Sequence, residues 1–136
     1  MVFVVDASVT LAWCFQDETT KYAETVLDRL EQTQAVVPPI WPLEVANVLL
    51  MAERRRRLSE AQTTRLVQLL SALPVTIDAE SLNHVLGPVL ALGREHRLTA
   101  YDASYIELAM RQGLSLATQD AALKKAAVRA GVSLVE

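Results

Sequence analysis

Acidic residues stand at four places where an apolar run gives way to a helical pattern: Asp6 in VVDASV, Glu44 in PLEVANVL, Asp102 in TAYDASYIELA and Asp120 in LATQDAALKKAA. Two carboxylates about 4 Å apart repel by roughly 4 kcal/mol at an effective dielectric of 20. Four that converge must therefore take up protons or recruit cations. Cys14 is the only cysteine, and His84 and His96 fall outside any HExxH spacing, so the donors are all oxygen. Such a set suits Mg²⁺ or Mn²⁺ better than zinc, since Mg²⁺ uses a few carboxylates together with waters and substrate phosphates. The implied chemistry is phosphodiester hydrolysis, in which the ion activates a water for in-line attack and neutralises charge on the leaving oxygen.

Each acid also has a plainer use. Asp102 can close a capping box with Thr99, Asp120 can be a simple N-cap, and Glu44 can complement a helix dipole, each contributing roughly 0.5 to 1 kcal/mol. Asp6 resists that reading, because it follows the apolar residues 2–5, which have the look of a buried strand. Burying an unpaired carboxylate costs several kcal/mol or forces protonation, so Asp6 needs a partner. Convergence of the acids separates the two readings.

The elements that must bring them together are legible as alternating patterns. Residues 2–5, 35–37, 75–77, 114–117 and 132–135 read as five strands, and residues 20–32, 43–58, 59–73, 78–97, 102–112 and 120–130 as helices. Gly113 and Gly131 stand where helices end, and Pro88 divides the segment 78–97. This alternation predicts a three-layer α/β/α sandwich with a mainly parallel five-stranded sheet. Ligands of such folds bind outside the carboxyl ends of the strands, where the following helices present their N-termini. All of the acids fall there.

With 136 residues the chain is expected to be one domain, 1–136, and its composition of 51% apolar and 21% charged residues is that of a soluble globule. The lone cysteine excludes an internal disulfide and points to a reducing compartment, the cytoplasm. The start lacks a basic flank and a long apolar core, so no leader is expected, and the stretch VVPPIWPLEVANVLLMA is too interrupted to span a membrane. A net charge of −3 means that a nucleic acid must be held by a local patch or through metal ions. The basic run Arg54, Arg55, Arg56 and Arg57 is either a solvated helix end complementing the dipole or a patch for RNA phosphates. Trp13, Phe15 and Trp41 are expected in packing before base stacking. Asn47 lies on the same helical face as Glu44 and is expected to hydrogen-bond it.

The ordered set VVDASV, PLEVANVL, TAYDASYIELA and LATQDAALKKAA resembles the PIN-domain family, in particular the VapC-type toxins of bacterial toxin–antitoxin pairs. The resemblance implies a metal-dependent endoribonuclease acting on RNA, restrained by a cognate antitoxin, and a homodimer. It implies that Asp6, Glu44, Asp102 and Asp120 form the Mg²⁺ or Mn²⁺ cluster, with Asp6 and Asp102 as direct ligands and Glu44 and Asp120 acting through water. Thr118 matches a hydroxyl position of the family, Ser8 is placed to orient Asp6 or a phosphate, and Arg54 to Arg57 become candidates for contact with RNA or antitoxin. Two other readings compete. One is a PIN domain that binds without cutting. The other is a receiver-like signalling domain, which VVDAS serves poorly with its single acid and VSLVE with no lysine.

Overall fold

The computed structural model describes residues 1–136. Its four strands are β1 (Phe3–Val5), β2 (Ala35–Val37), β3 (Val75–Ile77) and β4 (Ser115–Ala117), ordered β3-β2-β1-β4 and all parallel. The apolar runs FVV and AVV are buried throughout because these are the two inner strands. Strand β3, at the edge, is only partly covered. The expected fifth strand is reduced to a single parallel bridge between Leu116 and Leu134, made by hydrogen bonds from the Leu116 N–H to Ser133 and from the Val135 N–H to Leu116, both 2.9 Å. The ladder goes no further because the Val132 N–H is turned back to Ala127 at the preceding helix end, while the Val135 carbonyl accepts from the Tyr22 hydroxyl at 2.8 Å.

The helices are α1 (Ala7–Cys14), α2 (Lys21–Arg29), α3 (Ile40–Arg54), α4 (Glu60–Ser71), α5 (Leu82–His84), α6 (Leu90–His96), α7 (Ala100–Gln112) and α8 (Ala121–Arg129). Helix α1 is absent from the periodicity, since ASVTLAWC is apolar on most sides and carries no stripe. Helix α3 starts at Ile40, ahead of Leu43, because Pro42 sits in the first turn, where its missing N–H is no loss. Pro88 does not split its segment. The chain passes from α5 to α6 through a wide π turn at Val85–Val89, which accommodates a proline that would clash with a regular helical carbonyl. Capping side chains start several of the others: Thr20 for α2, Ser59 with Gln62 in a capping box for α4, and Thr99 for α7. Gly113 ends α7 at φ +65°, a conformation that glycine adopts without strain.

Helices cover both faces of the sheet, giving the three-layer arrangement. Helix α7 packs on β1 and β4 and is flanked by α6 and the π turn. Its residues 103–109 are all buried, which makes it the central helix of the core. That depth also fixes where Asp102, in its first turn, must lie.

The fold predicts a contrast between two truncations. Leu108→Ala, at a fully buried α7 position, should destabilise by about 2 to 5 kcal/mol. Val128→Ala, on the exposed side of α8, should stay within about 0.5 kcal/mol. Urea unfolding of both variants measures the difference.

Candidate active site

Asp6 closes β1 and caps α1. Its backbone N–H donates to Ala117 of β4 at 3.1 Å. Its side chain, only 4% exposed, accepts at Oδ1 from the Ser8 hydroxyl at 2.7 Å and from the Val9 N–H at 3.1 Å. Oδ2 accepts from the Thr118 hydroxyl. The same hydroxyls are used twice: Ser8 Oγ accepts from the Gln119 N–H at 3.0 Å, and Thr118 Oγ1 from the Asp120 N–H at 3.1 Å. The turn after β4 is thereby wrapped around the Asp6 carboxylate. Beneath it, the Thr10 hydroxyl donates to the Asp6 carbonyl and accepts from the Trp41 indole N–H, each at 2.9 Å, which ties α1 to α3. Burial pushes the Asp6 pKa up, the hydrogen bonds from Thr118, Ser8 and Val9 pull against it, and the charge of Asp120 adds to the upward push; the net shift is upward.

Glu44 projects half-buried from the early turns of α3. The Tyr105 hydroxyl on α7 donates to its Oε1 at 2.6 Å. Burial raises the Glu44 pKa, the Tyr105 bond opposes this, and Asp102 and Asp6 raise it further. Asp102 makes half of the expected capping box: its N–H donates to Thr99 Oγ1 at 3.1 Å, and its carboxylate gives no bond in return. Burial and the charge of Asp120 raise its pKa. Asp120 caps α8, accepting at Oδ1 from the Leu123 N–H at 2.9 Å, and is otherwise exposed. The plainer capping uses are thus real for Asp6 and Asp120. They coexist with mutual influence: the charge of Asp120 pushes the Asp6 and Asp102 pKa values up, and Asp102 and Asp6 push up that of Glu44.

A profile of the PIN domain matches residues 3–129 of this chain. The chain belongs to the PIN-domain family. Ribonuclease VapC3 of Pyrobaculum aerophilum is 31% identical to it over 120 residues, covering 88% of this chain and 90% of the relative. The crystal structure of PAE2754 from Pyrobaculum aerophilum superposes with a TM-score of 0.69 at 28% identity, over 93% of this chain and 87% of that one. A chain of a toxin–antitoxin complex from Klebsiella pneumoniae shares the fold, with a TM-score of 0.59 at 21% identity over 87% and 86% of the two chains.

The donor chemistry of this PIN domain fits a hard divalent cation: oxygen ligands only, with mutual repulsion among the carboxylates that a cation relieves. No three acidic, histidine or cysteine side chains meet around one point in metal-centre geometry. Asn47 is exposed and does not bond Glu44, whose partner across the helix layer is Tyr105. Tyr105 carries no chemical signal of its own in the sequence beyond its position three residues after Asp102, which places both on one side of α7. Arg54 to Arg57 lie at the end of α3 away from Glu44, about 15 Å along the helix for ten residues. Arg57 is engaged locally, 3.3 Å from Asp17 and with its guanidinium 4.6 Å from the centre of the Phe15 ring. His84 pairs with Ser81 in a capping box, away from the acids.

The raised carboxylates set the sign of the pH dependence. Between 3.8, the ordinary value for Asp6, and its higher folded value, the native state holds more protons than the unfolded chain. Stability therefore falls as pH rises through that window. In metal-free buffer, thermal melts from about pH 4 to about pH 8 should show wild type losing stability more steeply with rising pH than Asp6→Asn.

Proposed function

We propose that this PIN domain is a Mg²⁺- or Mn²⁺-dependent endoribonuclease of the VapC toxin type, neutralised by a cognate antitoxin in the cytoplasm. The observation that carries the reading is the buried Asp6 carboxylate at the carboxyl edge of the sheet, held by Ser8, Val9 and Thr118, with Glu44, Asp102 and Asp120 at the neighbouring helix starts. A relative that is itself named a ribonuclease supports the RNA substrate, and a fold neighbour taken from a toxin–antitoxin complex supports the partner.

Asp6 and Asp102 are the proposed direct ligands, with Glu44 and Asp120 acting through water. An ion held there lowers the pKa of a water for attack and neutralises charge on the phosphoryl oxygens. Ser8, Val9 and Thr118 hold the Asp6 carboxylate in one orientation. Asp102 and Asp120 sit at the N-termini of α7 and α8, whose free N–H groups also favour an incoming phosphate. Such helix starts orient the scissile group from the chain's side of the site. The proposed homodimer has an apolar surface to bury, since Leu82, Leu86 and Leu90 project from one segment at 71%, 62% and 42% exposure.

Purified protein free of antitoxin should cleave total RNA with Mg²⁺ or Mn²⁺ and stop with chelator. Asp6→Asn should lower the rate by a factor on the order of 100 or more. Equal behaviour of wild type and Asp6→Asn in both conditions leaves a PIN domain that binds without cutting. Light scattering should give a dimer mass at micromolar protein, and Leu86→Glu should shift it toward the monomer.

A further inference from the structure

We propose that Tyr105 is a positioning residue of the acid centre: its hydroxyl holds the Glu44 carboxylate in the orientation that the cation-binding cluster requires. This rests on the nuclease reading above and assigns a part to a residue outside the acidic set. Tyr105 is 1% exposed on α7. A buried tyrosine hydroxyl needs an acceptor, and here the acceptor is Glu44 Oε1 at 2.6 Å, within the short range of charge-assisted O–H···O⁻ bonds. Packing explains the ring, since phenylalanine would fill the same volume. It does not explain the oxygen.

The arrangement treats the carboxylates unequally. Asp6 is clamped by three donors. Glu44, on a longer and more mobile side chain, has the single donor Tyr105, which engages Oε1 and leaves Oε2 without a protein partner. Tyr105 stands on the stretch 103–109, buried throughout, one helical turn from Asp102. One rigid helix therefore carries Asp102 and also fixes Glu44 of α3, so the spacing between these two carboxylates is set by α7. Removing the hydroxyl frees Glu44 to sample other rotamers while the ring keeps α7 packed.

The test is Tyr105→Phe, with Tyr101→Phe on the exposed side of the same helix as control. Mn²⁺ binding is measured by calorimetry without RNA, kcat and KM are measured on a defined RNA, and melting temperature is recorded for each protein. We expect Tyr105→Phe to melt close to wild type in metal-free buffer. Its Mn²⁺ affinity or kcat should fall about 10- to 100-fold. Its KM for RNA should stay within about twofold, and excess Mn²⁺ should restore part of the rate. In a Glu44→Gln background the same substitution should add little, since it acts through Glu44.

Unchanged Mn²⁺ affinity and kcat in Tyr105→Phe overturn the proposal. So does a loss of activity that only follows a lowered melting temperature, which makes the hydroxyl structural. Wild type that neither binds Mn²⁺ nor cuts RNA refutes the nuclease reading instead. That outcome also removes the part of Tyr105 in cation binding, and crystal structures of wild type and Tyr105→Phe then test only its hold on Glu44: an unmoved Glu44 carboxylate overturns that hold as well, and a displaced one keeps it.

Discussion

A carboxylate at the end of a buried central strand must be compensated, and the means by which Asp6 is compensated organises the rest of the molecule. Ser8 and Val9 bring the start of α1 onto one oxygen, while Thr118 brings the turn after β4 onto the other. Thr10 and Trp41 extend the network to α3. A side chain with a strong desolvation penalty thus specifies how two helices and a loop meet the sheet edge. These donors moderate the upward pKa shift without cancelling it, because burial is the larger effect and Asp120 adds negative charge.

The parallel sheet supplies the second half of the arrangement. Strand β1 lies between β2 and β4, so the chain leaving each of these strands emerges at the same edge. The β1 exit carries Asp6, the β2 exit leads into α3 with Glu44, and the β4 exit carries Thr118 and Asp120. Asp102 arrives differently, on the first turn of α7, which lies on β1 and β4. Asp6 is clamped by three donors, Glu44 and Asp120 accept one each and the Asp102 carboxylate none, so a rigid anchor stands beside more accessible acids. No helix is long and apolar enough to cross a membrane.

The four acids were legible because each stands where a strand-like or proline-marked segment turns into a helix, a boundary visible without any partner. Ser8 and Thr118 came into view through the family resemblance, and both lie on Asp6. Other features were hidden. Helix α1 has no polar face to give it a period. The fifth strand looked as apolar as the others, but its backbone groups are drawn to Ala127 and Tyr22. Pro88 reads as a helix breaker in isolation, and packing of the π turn against α7 lets the helix run on.

Asn47 and Tyr105 show the division most clearly. Spacing along α3 favours Asn47 as the neighbour of Glu44, and that argument concerns one helix alone. The actual donor comes from α7, sixty-one residues away in sequence. The sequence by itself determined the fold class and the places of the acids at helix starts, because hydrophobic period and helix-start chemistry are local properties of the chain. Only the tertiary structure decided which hydroxyl meets which carboxylate and which acids feel each other's charge, because those depend on how far apart the helices pack across the sheet.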